Sequence, residues 1–268
     1  MGDEDMVRYV RLYWMMWLQG IQSQMEYKSS FIIGTIATIL GQVTGIAFVW
    51  VLFQKIGDLN GWSLPEIMLI YGIAALPYGL FELFFNGIWS LNRYVRMGDF
   101  DRILVRPGSS LFFILGDQPM LHGLGDIATG IAIIVLASRS LDIQWHLGNL
   151  LLLMLMVACG TLIYISINTI TGCSSFWFVA SGTNLLYLGQ RFRDFTVYPL
   201  DIYTVPLRLL LTWGIPFAFT SFFPATYFLG HLRYQYFVYL IPVVAFLLFG
   251  VAISIWRIGV NQYESTGS

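Results

Sequence analysis

Residues 31–53 read FIIGTIATILGQVTGIAFVWVLF, a run of twenty-three residues without a charged side chain. A helix of that length, at about 1.5 Å per residue, extends roughly 34 Å and exceeds the ~30 Å hydrocarbon core of a bilayer. In all, we predict membrane spans at 31–53, 67–89, 111–137, 147–170, 205–223 and 236–256. The third of these, 111–137, is longer than a straight crossing needs, so we expect its first turns, up to Pro119, to kink or to lie along the interface.

Composition also favours a membrane location. Apolar residues make up 57% of the chain and charged residues 11%, whereas a soluble domain carries about a quarter charged residues. The net charge of −1 gives no indication of a nucleic-acid partner. Because Asp3, Glu4 and Asp5 stand where a signal peptide would be basic, we expect the first apolar run to be retained. We therefore predict an all-α, polytopic protein with six transmembrane helices.

Basic residues predict the orientation of the spans. With the amino terminus inside, only Lys55, Arg139 and Arg233 lie outside, against eleven basic residues on the cytoplasmic side. The protein is thus expected to be a multi-pass protein of the cytoplasmic membrane with both termini cytoplasmic. The eleven cytoplasmic residues are Arg8, Arg11, Lys28, Arg93, Arg96, Arg102, Arg106, Arg191, Arg193, Arg208 and Arg257.

The chain before the first span has the pattern of an amphipathic helix. Between residues 6 and 27, the polar residues fall on one stripe at 100° per residue and the apolar ones, including Trp14 and Trp17, cover the other side. Such a helix is expected to lie in the headgroup plane, with packing against the bundle as the alternative. The predicted organisation is a helix at 1–30, a span domain at 31–260 and a cytoplasmic tail at 261–268.

Several polar residues fall inside the predicted spans. An ionised group near the bilayer centre costs at least about 2.5–3.5 kcal/mol, so these residues are expected to face the bundle interior, a partner or water. They are candidates for a transport pathway or for locking helices together, and bonding to a neighbouring helix merely to fix packing is the alternative. The set consists of Glu82, Asn86, Asp117, His122 and Asp126.

The longest polar stretch between spans is residues 91–110, which we call the connector. Its basic and acidic side chains alternate with apolar ones. This pattern favours a short helix that docks on a protein over a lipid-binding polybasic run, with a solvated loop as the alternative. The sequence lacks a phosphate-binding G-x-x-x-x-G-K-[ST] loop, an H-E-x-x-H zinc helix and a G-x-S-x-G elbow, so catalysis by this chain alone is disfavoured.

Within the connector, Gly98-Asp99-Phe100-Asp101-Arg102-Ile103-Leu104-Val105-Arg106-Pro107 resembles the G-x-x-D-x-x-L-x-x-P signature of bacterial ABC-2 type permeases, the membrane subunits of ATP-binding-cassette exporters. Further along, Tyr198-Pro199, Ile215-Pro216 and Pro224 resemble the proline-marked fifth span of these permeases. The resemblance implies a bundle like that of type V exporters. It also implies two permease subunits, alike or related, and two copies of a separate ATPase that holds the ATP and Mg, while this chain binds no cofactor and no metal.

The resemblance further implies roles for particular residues. A coupling helix that rests on the ATPase would map onto the connector, and a re-entrant external element would map onto 222–235, with Pro224, Gly230 and His231. Two other classes stay open: a six-helix substrate-binding subunit of a vitamin importer, and an intramembrane lipid-modifying enzyme in which Asp117 and Asp126 hold a metal. The expected coupling residues are Arg93, Arg96, Gly98, Asp99, Asp101, Arg102, Leu104, Arg106 and Pro107.

Overall fold

The computed structural model describes residues 3–26, 28–178 and 182–264. These residues are mostly helical and contain no β-strand, which confirms the predicted all-α class. Short 3-10 and π segments join some of the helices. In chain order the helices are α1 (Asp3–Glu26), α2 (Lys28–Ile56), α3 (Leu64–Phe85), α4 (Leu91–Met97), α5 (Phe100–Leu104), α6 (Ser110–Leu115), α7 (Gly123–Ser140), α8 (Leu147–Gly172), α9 (Gly182–Arg193), α10 (Val205–Leu209), α11 (Phe222–Phe228) and α12 (Phe237–Gln262).

Five helical stretches in the described residues are long and apolar enough to cross a membrane: Ile32–Lys55, Leu64–Met97, Gly123–Ser140, Leu147–Phe176 and Phe237–Gln262. They correspond to five of the six predicted spans. The third is shorter than its apolar run, because the chain leaves helical geometry between α6 and α7. Pro119 lies in that break, where a kink was predicted.

The remaining predicted span, 205–223, is divided in the structure instead of forming one helix. The helix α10 continues as a π turn to Gly214, and Pro216, which has no backbone N–H to donate, separates this part from α11. At the turn, the Phe217 ring packs against Tyr164 inside α8, with 5.1 Å between ring centroids. At the start of α11, Phe222 reaches Trp62 in the α2–α3 loop. Residues 205–228 therefore enter the bundle and return to the same end.

The chain before this hairpin makes the missing passage along the bundle. In α9, a Cβ on Gly189 would meet the Thr171 side chain of α8, and Arg193 lies over the ring of Tyr78 in α3. Beyond α9, Asn60 of the α2–α3 loop donates a hydrogen bond to the carbonyl of Asp201 at 3.2 Å. The passage from 182 to 201 is thus a helix followed by irregular chain, which a hydropathy window does not detect.

The path of this chain corrects the predicted position of Arg208, which the sequence analysis assigned to the same side as the connector. Its guanidinium donates to the Asp201 carbonyl at 3.3 Å and lies 3.8 Å from the Asp201 carboxylate. Because Asp201 is at the end of the bundle that holds the α2–α3 loop, Arg208 lies at the end opposite the connector. With Arg193 inside the bundle, nine of the predicted cytoplasmic basic residues remain, against four at the opposite end, so basic residues are still unequally distributed.

Helices α3 and α7 pack closely because glycines face each other in their seam. A Cβ built on Gly72 would lie 3.0 Å from the carbonyl oxygen of Gly130, and one on Gly123 would lie 3.0 Å from the backbone nitrogen of Leu83. Without side chains at these positions the two backbones approach directly, as small-residue packing in membranes allows. The α3–α7 pair lies at the centre of the bundle, with α8 packed against α3 and α2 packed against α7.

The first helix combines the two placements considered for it. On one side, Trp17 donates its indole N–H to the Leu83 carbonyl at 3.0 Å, and Gln24 bonds to the Pro119 carbonyl. On the other side, Val10 and Trp14 are exposed. The helix is therefore packed against the bundle while it presents apolar side chains outward, where a membrane interface accepts them.

Candidate functional site

The connector is a pair of short helices that meet at a glycine. Helix α4 ends at Met97 and is capped by Gly98, whose φ of 74° is in the left-handed region that glycine adopts without steric cost. Helix α5 begins two residues later, at Phe100. The first residue of the matched signature is therefore a turn residue, and Asp101 and Leu104 follow on the second helix.

Phe100 fixes the connector to the ends of two spans. Its side chain is fully buried, and its ring makes edge-to-face contacts with Phe176 after α8 and with Trp256 and Tyr263 at the end of α12. Their centroids lie 5.3, 6.1 and 5.1 Å away, within the usual range for aromatic pairs. A displacement of the connector would consequently act on α8 and α12.

The opposite face of the connector is exposed, basic and partly apolar. Arg102 pairs with Asp99 at 3.6 Å, but this bridge lies in solvent, where such pairs contribute little, and Arg102 stays accessible to a partner. Asp99 and Asp101 are only partly exposed. The exposed residues are Arg93, Arg96, Met97, Arg102, Leu104, Val105, Arg106, Pro107, Gly108 and Ser109.

Asp117 belongs to this region. Its carboxylate accepts a hydrogen bond from the Tyr94 hydroxyl at 2.5 Å, and the Arg93 guanidinium lies 5.1 Å from the Tyr94 ring centroid. Asp117 therefore ties the break before α7 to α4 of the connector. The sequence analysis placed Asp117 in one set with Asp126. In the structure the two carboxylates lie apart, because Asp117 bonds to Tyr94 and Asp126 bonds to Gln42.

A second cluster, which we call the polar centre, lies among α2, α3 and α7. The Glu82 carboxylate, 5% exposed, lies 3.1 Å from the His122 imidazole. Asp126, 2% exposed, accepts a hydrogen bond from the side-chain amide of Gln42, whose own carbonyl accepts one from Tyr71 at 2.5 Å. The predicted residues Glu82, His122 and Asp126 are thus bonded to side chains of neighbouring elements.

Asn86, the remaining predicted member, is buried at the end of α3, where the helix changes to a 3-10 turn. The sequence analysis missed Gln42 and Arg193. Gln42 is a single amide in the run 31–53 and does not change its mean hydropathy, although its position near the centre was a usable signal. Arg193 could not be assigned because it ends α9, a helix in a segment that has no clear span pattern.

Residues predicted for a re-entrant element lie at the other end of the bundle. His231 stacks on Trp62, with 4.8 Å between ring centroids, and its imidazole lies 3.5 Å from Glu66. Glu66 also accepts a hydrogen bond from the backbone N–H of Ser63 at 2.7 Å at the start of α3. Pro224 is buried in the first turn of α11, and Gly230 has a φ of 71° in the turn that follows.

The described residues contain no group of three or more His, Cys, Asp or Glu side chains that could hold a metal ion. The fold defines a multi-pass membrane protein whose connector is anchored to the bundle by one face and exposed on the other. The family described as ABC-2 family transporter protein matches residues 39–267, and the chain belongs to this family. Its members are membrane subunits of ABC transporters. No curated protein and no solved structure matches the chain.

Proposed function

We propose that this permease exports a hydrophobic or amphipathic compound, such as a drug, a lipid or a peptide-like molecule, from the bacterial cytoplasm. The bundle interior is rich in Phe, Ile and Leu side chains, which suits such a substrate. Two permease subunits would form the passage, with both termini and the connector on the cytoplasmic side.

The energy would come from two copies of a separate ATPase that bind the connector. The observation that supports this role is the division of the connector into a buried anchor and an exposed face. Phe100 joins it to α8 and α12, while Arg102 and its basic neighbours are free to meet a partner. Closure of the ATPase dimer around ATP would move the exposed face, and the anchor would carry that movement to the spans.

Charge reversal on the exposed face tests this proposal. We expect Arg102→Glu, measured in the purified complex in liposomes, to lower transport per ATP hydrolysed by about tenfold, because a misplaced rim charge weakens docking. Arg139→Glu is the matched control, since Arg139 is also exposed but lies at the far end of α7. Equal transport and ATPase binding by the two variants would remove the connector from the coupling step.

A further inference from the structure

A small cavity of about 40 Å³ lies between the polar centre and α9. Its wall combines polar and charged side chains with Ala74, Ala75 and Val197, and it lies within the membrane-spanning part of the bundle. One water molecule occupies about 30 Å³ in the liquid, so the cavity has room for one and supplies the polar partners that a buried water needs. Among the lining residues are Gln42, Tyr71, Asp126, Tyr164, Arg193 and Thr196.

The Tyr164 hydroxyl is the group in this wall that calls for a ligand. The side chain is 1% exposed, and although the Thr196 and Thr220 hydroxyls lie near its oxygen, no described residue makes a hydrogen bond of normal geometry to it. A buried hydroxyl without a partner is costly, and native proteins usually satisfy it with protein or ordered water. Since the hydroxyl borders a cavity of suitable size, water is the partner that the geometry can supply.

The charged groups around the cavity are not paired one to one. Arg193 lies 3.7 Å above the Tyr78 ring and 3.8 Å from Asp194, but Asp194 also pairs with Arg191 at 3.6 Å. One carboxylate thus serves two guanidinium groups. Asp126 lines the same cavity as Arg193 and offers the second negative charge.

We propose that this cavity binds ordered water, which links the Tyr164 hydroxyl with the Arg193 guanidinium and the Asp126 carboxylate. The water site joins α8, α9 and α7 and, through Gln42, α2. Water-mediated bonds are nearly as favourable as direct ones and adapt their geometry more readily. The four helices can therefore shift relative to one another without leaving a buried charge unsolvated, as a transporter that changes conformation requires.

Removing the Tyr164 hydroxyl tests for bound water, because the direction in which the midpoint of thermal unfolding moves differs between a wet and a dry cavity. If water is bound, Tyr164→Phe deletes a satisfied hydrogen bond, and the midpoint of thermal unfolding of the purified permease falls by about 2–4 °C. If the cavity is dry, the substitution removes an unsatisfied group, so an unchanged or raised midpoint overturns the proposal. Tyr187→Phe is the control, because Tyr187 is exposed on α9.

A double-mutant cycle tests the charge link. We expect Arg193→Gln and Asp126→Asn each to lower the midpoint, and the double variant to fall by clearly less than the sum, because each single change strands the other charge. Arg191→Gln combined with Asp126→Asn should be additive. Additive effects for the Arg193 pair would overturn the link. These measurements need neither the ATPase nor transport, so they are independent of the proposed export function.

Discussion

Gln42 is the residue that connects α2 to the polar centre. Val49 and Phe53 are buried near one end of this helix, but most of its other side chains face outward, Ile33 and Leu40 among them. The Gln42 side chain bonds to both Asp126 and Tyr71. At the level of single residues, this amide therefore fixes the position of a helix that is otherwise lightly packed.

We predict that Gln42→Leu lowers the free energy of unfolding by about 1–3 kcal/mol, because the buried Asp126 carboxylate loses a donor. Chemical denaturation of the purified permease in detergent measures the change. Thr44→Val is the control, since Thr44 is exposed and donates its hydroxyl hydrogen bond to the Leu40 carbonyl of its own helix at 2.7 Å. A Gln42→Leu variant no less stable than the control would contradict this assignment.

Residue positions differ in how far the sequence predicts them. Glu82 and Asp126 stand out in the sequence because each is an acidic residue in an apolar run. Such a charge is costly to expose to lipid, so burial inside the bundle could be predicted. The identity of the partner depends on how helices dock, so His122 and Gln42 could not be matched to them from one sequence. Arg193 required knowledge of where α9 runs, which hydropathy does not supply.

Among the elements, Phe100 is the contact through which the connector is attached to the spans. We predict that Phe100→Ala lowers the free energy of unfolding by about 3–5 kcal/mol, as large-to-small changes of buried aromatic residues do, and also lowers transport per ATP hydrolysed. Leu104→Ala, at an exposed site on the same helix, should leave stability nearly unchanged. Thermal unfolding and coupled transport measure the two effects, and equal stability of the two variants would contradict the anchor.

The elements also show the limit of hydropathy. Long apolar helices such as α2 and α8 were predicted well, because length and composition alone determine whether a helix can cross. A re-entrant hairpin is as apolar as a span, so residues 205–223 were assigned to a single crossing. Pro216 interrupts the helix, and the contacts of Phe217 with Tyr164 and of Phe222 with Trp62 hold the returning chain, which a window average does not contain.

For the whole molecule, the two ends of the bundle should be accessible from opposite sides of the membrane. Val105 is 83% exposed on the connector, and Leu232 is 74% exposed between α11 and α12 at the other end. We predict that a membrane-impermeant maleimide applied to intact cells labels Leu232→Cys but not Val105→Cys, which reacts only after the inner face is opened. The native thiols give little background, because Cys159 and Cys173 are buried. Labelling of Val105→Cys in intact cells would place the connector outside, where no cytoplasmic ATPase could drive it.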